Sequence, residues 1–351
     1  MPMTGLSMLA EIVPLPNLRP LGENIFGCEA LLLLKTALES GIFDVLGESG
    51  RSSGALATVL GDDSRRRTAF LDALVSLGYL EKEGESYRLS PSSSLYLRRD
   101  SKHSVYGLLR SRFARLQRLH NIVPILREPL SPGSKEPRDE EDLLPFTGLM
   151  AQSAVSSGAI GPVVRKIARD PAFRDARKMI DLGCSHGLYT AALCLLNKTM
   201  QAVLFDRPGV LQLTRRYLES FPFEDRLEYR GGDFYTDPLG ENYDLAFASN
   251  VFYRSSGKVA PLLLKIHRAL KPGGVLYLQH RYLKRDRSAP APAALYYCTR
   301  VLLSPSFYVS TLPEALADLQ QAGFAITSIH RSKRTGNTLL RARSQRGRRR
   351  S

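Results

Sequence analysis

Apolar residues first recur at helical spacing near the start of the chain. Ile25, Ala30, Leu31, Leu34, Ala37 and Leu38 mark one face of an amphipathic helix, and Gly41 stands where a C-cap would close it. Ser52–Leu60 and Asp63–Leu77 give two shorter helical patterns, the second opened by Asp63 as an N-cap. The period then drops to two. Tyr79–Lys82 and Tyr87–Leu89 alternate around a turn containing Gly84, which predicts a hairpin. Ser101–Glu128 returns to helical spacing, with Val105, Leu108, Leu109, Phe113, Leu116 and Leu119 on one side. Pro129–Asp142 is rich in Pro, Ser and charge and reads as a loop, and Leu143–Ala168 is helical again. From there the pattern changes to short apolar runs: Lys178–Leu182, Ala202–Phe205, Leu227–Tyr229, Asp244–Ala248 and Val275–Gln279. Their spacing leaves room for intervening helices and predicts an α/β domain with a doubly wound, mostly parallel sheet.

These patterns divide the chain into an N-terminal segment (1–23), a mainly helical domain (24–100), a connecting helix and linker (101–145), a large α/β domain (146–345) and a basic tail (346–351). Helices followed by a hairpin are the layout of a winged helix. One reading is DNA binding through Arg65, Arg66 and Arg67. The other is dimerisation through the apolar faces of the first helix and of Phe70, Leu71 and Leu74. The arginines cluster at the start of their helix rather than along a face, which favours dimerisation.

The net charge of +15 changes this picture little. Nine Lys or Arg fall between Arg331 and Ser351 with no acidic residue among them, leaving +6 for the rest of the chain. A solvated terminus accounts for Arg346–Ser351, and an RNA, an acidic partner or an anionic membrane surface is the alternative. Cys28, Cys184, Cys194 and Cys298 form no CxxC pair and no zinc spacing, so free thiols in a reducing cytoplasm are expected and a metal site is not. No apolar run approaches the roughly 20 residues needed to span a bilayer, and Met1–Pro14 lacks the features of a secretory signal.

The most informative stretch is Ile180–Gly187, a buried strand running into a turn and a helix. Gly183 and Gly187 permit positive φ and close approach of a ligand at the carboxyl end of a strand. Asp206 ends the next strand 23 positions after Gly183, placed to accept from both ribose hydroxyls of a nucleoside. Gly231–Phe234 follows the third strand, where a carboxylate can meet an adenine amino group and an aromatic can lie on the ring. Leu270–Gly274 is a helix-to-strand turn.

This ordered set resembles the class I S-adenosylmethionine-dependent methyltransferases, and the chain from Asn24 to Arg343 resembles the caffeate and acetylserotonin O-methyltransferase family. The likeness rests on Ala37–Leu46 and Phe70–Pro91 in the N-terminal half. In the C-terminal half it rests on "DLGCSHG", "LFDRPGV", "GGDF", "ALKPGG" and "AGF". The resemblance implies a Rossmann-like methyltransferase domain, a homodimer formed through the winged helix, S-adenosylmethionine as cofactor and a small-molecule acceptor of aromatic or polyketide type. It implies that Asp181, Gly183 and Gly187 line the methionine and ribose, that Asp206 holds the ribose with Arg207 beside the adenine, and that Asp233 and Phe234 hold the base. Ser185 takes the place of the middle glycine, and Ser249 that of a lysine near the end of the fourth strand.

The family's catalytic histidine and its orienting glutamate are replaced by Tyr253 and His280. One expectation makes His280 the base, oriented by Tyr253, so that His280→Ala lowers turnover far more than cofactor affinity. The other leaves catalysis to positioning alone. Phe146, Met150, Tyr296, Tyr297 and Phe307, together with Tyr253, are the candidates for an aromatic acceptor pocket. Two further readings stay open: an RNA or protein acceptor, prompted by the tail, and a DNA-binding regulator whose methyltransferase-like domain senses a ligand.

Overall fold

The computed structural model describes residues 19–47, 49–127, 140–253, 256–304, 307–332 and 336–345. The basic tail, most of the Pro129–Asp142 loop and most of the N-terminal segment lie outside these residues, as does the Phe146 side chain. The chain forms two compact units, Met1–Phe113 and Ala114–Ser351.

The first unit opens with α1 (Arg19–Ser40) and α2 (Ile42–Leu46). Gly41 separates them at φ 75°, a left-handed conformation that glycine adopts without a Cβ penalty. β1 (Arg51–Ser52), α3 (Ala57–Leu60), α4 (Ser64–Ser76), β2 (Leu80–Glu83), β3 (Ser86–Leu89) and α5 (Pro91–Tyr96) follow. The strands form an antiparallel sheet in the order β1-β3-β2. Asp63 caps α4 by accepting from the Arg66 N–H at 3.0 Å. Leu71 and Leu74 on α4 are buried with Ile42, Phe43 and Leu46 of α2. Of the three arginines considered for DNA, Arg67 is buried, donating to Ser53 Oγ at 3.1 Å and to the Gly61 carbonyl. Arg66 pairs with Asp63. On α1, Leu21, Ile25, Phe26 and Leu32 are exposed.

The helix expected over Ser101–Glu128 is two helices, α6 (Tyr106–Arg118) and α7 (Val123–Arg127). Pro124 lacks the N–H that a continuing helix would need but is tolerated in a first turn, so a second helix starts here rather than continuing the first. Leu143–Ala168 is likewise divided into α8 (Glu140–Ser156) and α9 (Ile160–Ala168), because Gly158 turns left-handed at φ 58°.

The second unit continues with α10 (Pro171–Asp175), β4 (Lys178–Leu182), α11 (Leu188–Leu196), β5 (Gln201–Asp206), α12 (Pro208–Leu218), β6 (Leu227–Gly231), β7 (Tyr243–Ser249), α13 (Ser256–Ala269), β8 (Leu270–His280), α14 (Ala291–Val301), α15 (Leu312–Gln321), β9 (Phe324–Arg331) and β10 (Thr338–Ser344). The strands β4 to β10 form one seven-stranded sheet, order β6-β5-β4-β7-β8-β10-β9. β6 through β8 run parallel, and β10 runs antiparallel to both β8 and β9. The five parallel strands are those expected; β9 and β10 were not foreseen. The nine basic residues counted from Arg331 therefore include three strand residues, Arg331 at the end of β9 and Arg341 and Arg343 on β10. Arg341 is neutralised by Asp170, beside the Tyr277 hydroxyl.

One sheet face packs Ile180, Leu182, Ala246, Leu276 and Leu278 with residues of α13 and α15; the other packs Met179, Leu204, Phe247 and Tyr277 with residues of α9 and α11. The chain moves outward from β4 to β5 and β6, then returns to β7 on the other side of β4. That reversal places a crevice at the carboxyl ends of β4 and β7, where doubly wound sheets bind ligands.

Candidate functional site

The turn after β4 is held by backbone. The Gly183 N–H donates to the Phe205 carbonyl at 2.8 Å and the Gly187 N–H to the Cys184 carbonyl at 2.8 Å. Gly183, Ser185 and Gly187 are all left-handed, at φ 66°, 50° and 68°. Close packing adds to this requirement. A Cβ on Gly183 would meet Val251 Cγ1 at 2.4 Å and lie 3.5 Å from the Phe234 ring, and one on Gly187 would meet Leu218 and Thr214 below 3.0 Å. Ser185 is the one member with a side chain. Its strained backbone is fixed from both ends, its N–H donating to Asp206 Oδ2 at 2.8 Å and its carbonyl accepting from Thr214 Oγ1.

Asp206 ends β5 with its carboxylate across this turn; Oδ1 accepts from the Arg207 N–H at 2.8 Å. Each oxygen keeps a further lone pair, so the group can also accept from two neighbouring hydroxyls. Asp181, 2% exposed, accepts from Thr190 Oγ1 at 2.5 Å. Burial, opposed by the Thr190 hydroxyl and reinforced by the Asp206 charge, pushes the Asp181 pKa up to about 7. Burial also raises that of Asp206, against its two N–H donors. Two carboxylates disfavoured as anions are a site that a cation stabilises. His186 in the same turn is held neutral, its pKa lowered to about 4 by burial, with Nδ1 accepting from the Leu188 N–H.

Phe234 is brought to the turn by its contact zone with Gly183. Asp233 is exposed and closes a small turn, its Oδ1 accepting from the Tyr235 N–H at 2.8 Å. Arg207 stands at the N-terminus of α12. Ser249, at the end of β7, accepts from Asn250 Nδ2 at 3.3 Å and lies beside the Tyr189 hydroxyl. Sequence reasoning missed Thr190, Thr214 and Val251. Thr190 carried a legible signal, a small hydroxyl residue beside Tyr189 on the buried side of an otherwise apolar α11. Val251 carried none.

The second group of residues gathers beyond β7 and β8. The Tyr253 ring stacks on Phe307 at 4.8 Å and meets His280 edge-on at 4.6 Å, with Tyr296 at 6.0 Å. Tyr296 also meets Phe307 edge-on at 5.7 Å. Tyr253, Tyr296, Tyr297 and Phe307 pack against Leu283, Ala293 and Val309. The Tyr253 hydroxyl is 3.4 Å from Asn250 Oδ1, a weak bond. Burial and Tyr296 raise its pKa well above the usual value, so this phenol is a donor and not a base. His280 is 1% exposed. Nδ1 faces the Arg281 carbonyl at 2.9 Å and Nε2 the Phe252 carbonyl at 3.1 Å. Burial lowers its pKa to about 4. Whichever nitrogen carries the proton, the other directs its lone pair at a main-chain oxygen rather than at an acceptor hydroxyl. Met150 is half-buried on α8, whose main packing partner is α12.

The two groups meet in one short segment. Val251 touches Gly183, and Tyr253, two residues on, enters the aromatic cluster. A glycine turn with an acidic floor beside a cluster of aromatic side chains is the arrangement of a class I methyltransferase. The comparisons agree. Residues 137–325 match the O-methyltransferase domain family and residues 24–99 the O-methyltransferase dimerisation domain. The tetracenomycin polyketide synthesis 8-O-methyltransferase of Streptomyces glaucescens is 30% identical over 85% of this chain and 88% of its own length. An uncharacterised protein of Methanocaldococcus jannaschii is 26% identical over 69% of the chain, which spans 64% of that protein. The crystal structure of human N-acetylserotonin methyltransferase with S-adenosylmethionine superposes with a TM-score of 0.70, covering 93% of this chain and 97% of that one at 25% identity. The chain belongs to the O-methyltransferase family and is a methyltransferase that takes S-adenosylmethionine as methyl donor.

The residues present fit that cofactor. Asp206 offers two oxygens to a ribose diol, Asp181 and Asp206 give a negative floor to a cationic ligand, and the Gly183–Gly187 turn admits no extra Cβ. No helix among the described residues is long and apolar enough to cross a membrane.

Proposed function

We propose that the protein O-methylates a small planar aromatic metabolite, with catalysis by positioning rather than by a protein base. The observation that carries this reading is the Tyr253–Tyr296–Phe307 cluster, joined to the glycine turn through Val251. The bound cofactor would supply an electrophilic methyl on a sulfonium. The chain's own part is to hold it. Gly183 and Gly187 bring backbone close, Asp206 accepts from the ribose, Asp181 balances positive charge, and Phe234 covers the turn. Asp233, Arg207 and Ser249 are proposed at the adenine and methionine ends.

Tyr253, Tyr296 and Phe307 hold the flat face of the acceptor, with Tyr297 at the margin; Met150, on a helix that packs mainly on α12, is the weakest member. Holding reacting atoms at near-attack distance is worth about 7–11 kcal/mol. His280, with both nitrogens occupied by carbonyls, orients the Tyr253 ring and the backbone around it. The relatives' names support this class, since they act on a polyketide and on N-acetylserotonin.

The exposed apolar side of α1 supports a homodimer through a winged-helix N-terminal unit. Burial of Arg67 speaks against DNA recognition by α4, and with it against the regulator reading. Four unpaired cysteines suit a cytoplasmic setting. The test is a mass-spectrometric screen of hydroxylated aromatic and polyketide-like compounds with S-adenosylmethionine. Gain of one methyl group by any of them supports the reading. Methylation of RNA or protein alone would overturn it.

A further inference from the structure

Three arginines contact the aromatic cluster, and they are not equivalent. Arg287 lies over Tyr308 at 4.8 Å and 5.8 Å from the Tyr297 ring, and it is neutralised by Glu314 at 2.9 Å. It also donates to the Val309 carbonyl at 3.0 Å. This group is part of the scaffold.

Arg281 and Arg300 differ. Arg281 follows His280 at the end of β8, and Arg300 lies one helical turn after Tyr296 on α14. Both guanidinium groups converge on the Tyr296 ring, at 4.6 and 5.4 Å from its centre. Both are close enough to Tyr253 to act on its ionisation, each favouring the anion. Among the described residues no carboxylate pairs with either, and Arg300 Nε is buried with no hydrogen-bond partner. Like charges brought together without a counter-ion repel each other, and a buried N–H left unpaired loses its hydration without replacement. A single aromatic ring offsets only part of this. The missing component is negative charge.

We infer that Arg281 and Arg300 bind an anionic oxygen on the aromatic acceptor, either a ring carboxylate or an ionised acidic hydroxyl. The inference rests on the proposed acceptor site and narrows it to a substrate class. It also accounts for the missing base. An acceptor hydroxyl acidified by two neighbouring cations sheds its proton to water before reaction, and the resulting oxyanion is the nucleophile. An acceptor with a separate carboxylate is instead anchored by it, with its hydroxyl turned towards the cofactor turn.

The experiment titrates the full-length protein, with and without S-adenosylhomocysteine, with three probes: 3-hydroxy-1-naphthoate, 2,4-dinitro-1-naphtholate and uncharged 2-naphthol. At least one anion is expected to bind about tenfold tighter than 2-naphthol, the scale of one charge-assisted hydrogen bond. Which anion is preferred identifies the carboxylate or the acidic hydroxyl as the source. Arg281→Gln and Arg300→Gln are expected to bring the ratio towards one. S-adenosylhomocysteine titrated into the same variants reports whether the cofactor half is still folded. Equal binding of the three probes, or a preference that survives both substitutions, overturns the inference. Failure of the wild-type protein to bind S-adenosylhomocysteine would sink the methyl-transfer reading instead, and the anion preference would still be read from the aromatic probes alone.

Discussion

At the end of β4, the groups that face the crevice are acidic and are fixed by backbone. At the end of β8, two strands away in the same sheet, they are basic and aromatic and come from side chains. The first region needs three left-handed residues in five, and its carboxylates are tied to main-chain N–H groups and to Thr190. The second is assembled from three separate stretches, around Tyr253, at His280–Arg281, and from Tyr296 to Phe307, held by ring contacts and cation–π approaches. A backbone-built site leaves little room for sequence change. A side-chain-built site can be rewritten for a new ligand while the sheet beneath it stays the same. In a methyltransferase, that division separates a constant cofactor from a variable acceptor.

Gly183→Ala attacks the backbone side and should have the largest effect. The left-handed φ costs an alanine roughly 1–2 kcal/mol, and the new Cβ collides with Val251 at a further cost of about 1–3 kcal/mol. Calorimetry should show S-adenosylhomocysteine binding about a hundredfold weaker. Because Val251 is two residues from Tyr253, acceptor binding should weaken as well. An unchanged acceptor affinity would show that the two halves are independent.

Asp181→Asn is next. The Asp181 pKa is raised from 3.8 to about 7, so the folded cofactor-free protein holds a proton there that the unfolded chain has already lost. Its contribution to stability is greatest below the unfolded value and is lost as pH rises through about 7. Melting temperature should fall more steeply with pH in the wild type than in Asp181→Asn over this interval, amounting to about 1–3 kcal/mol. Parallel curves would mean that the acidic floor is not strained.

His280→Gln should do least to chemistry. The wild-type imidazole is neutral from about pH 6 to 8, so the shape of the turnover profile there should not change. The melting temperature should drop by roughly 2–4 °C per kcal/mol of lost contact. Loss of a titrating limb near the ordinary histidine pKa would restore His280 as a base.

The backbone-built half was the legible one. Glycine spacing, the 23-residue interval from Gly183 to Asp206 and the apolar period of the strands are properties of contiguous sequence. β9 and β10 escaped because Arg331, Arg341 and Arg343 read as part of a charged tail; the neutralising partner of Arg341 is Asp170, 171 positions away. The surroundings of His280 escaped for a related reason. Residue type and position left a base and a plain pocket residue both open, and the carbonyls of Phe252 and Arg281 that face its nitrogens are placed by the fold alone. The unpaired state of Arg281 and Arg300 is equally invisible without knowing what surrounds them.

The central claim is that the turn after β4 and the carboxylate of Asp206 together hold S-adenosylmethionine. Calorimetric titration of S-adenosylhomocysteine into the wild-type protein and into Asp206→Ala tests it most directly. The account predicts one site per chain in the wild type and binding at least about tenfold weaker in the variant, which loses an acceptor for the Ser185 and Arg207 N–H groups as well as for the ribose. Absence of wild-type binding, or equal affinity in the two proteins, would contradict it.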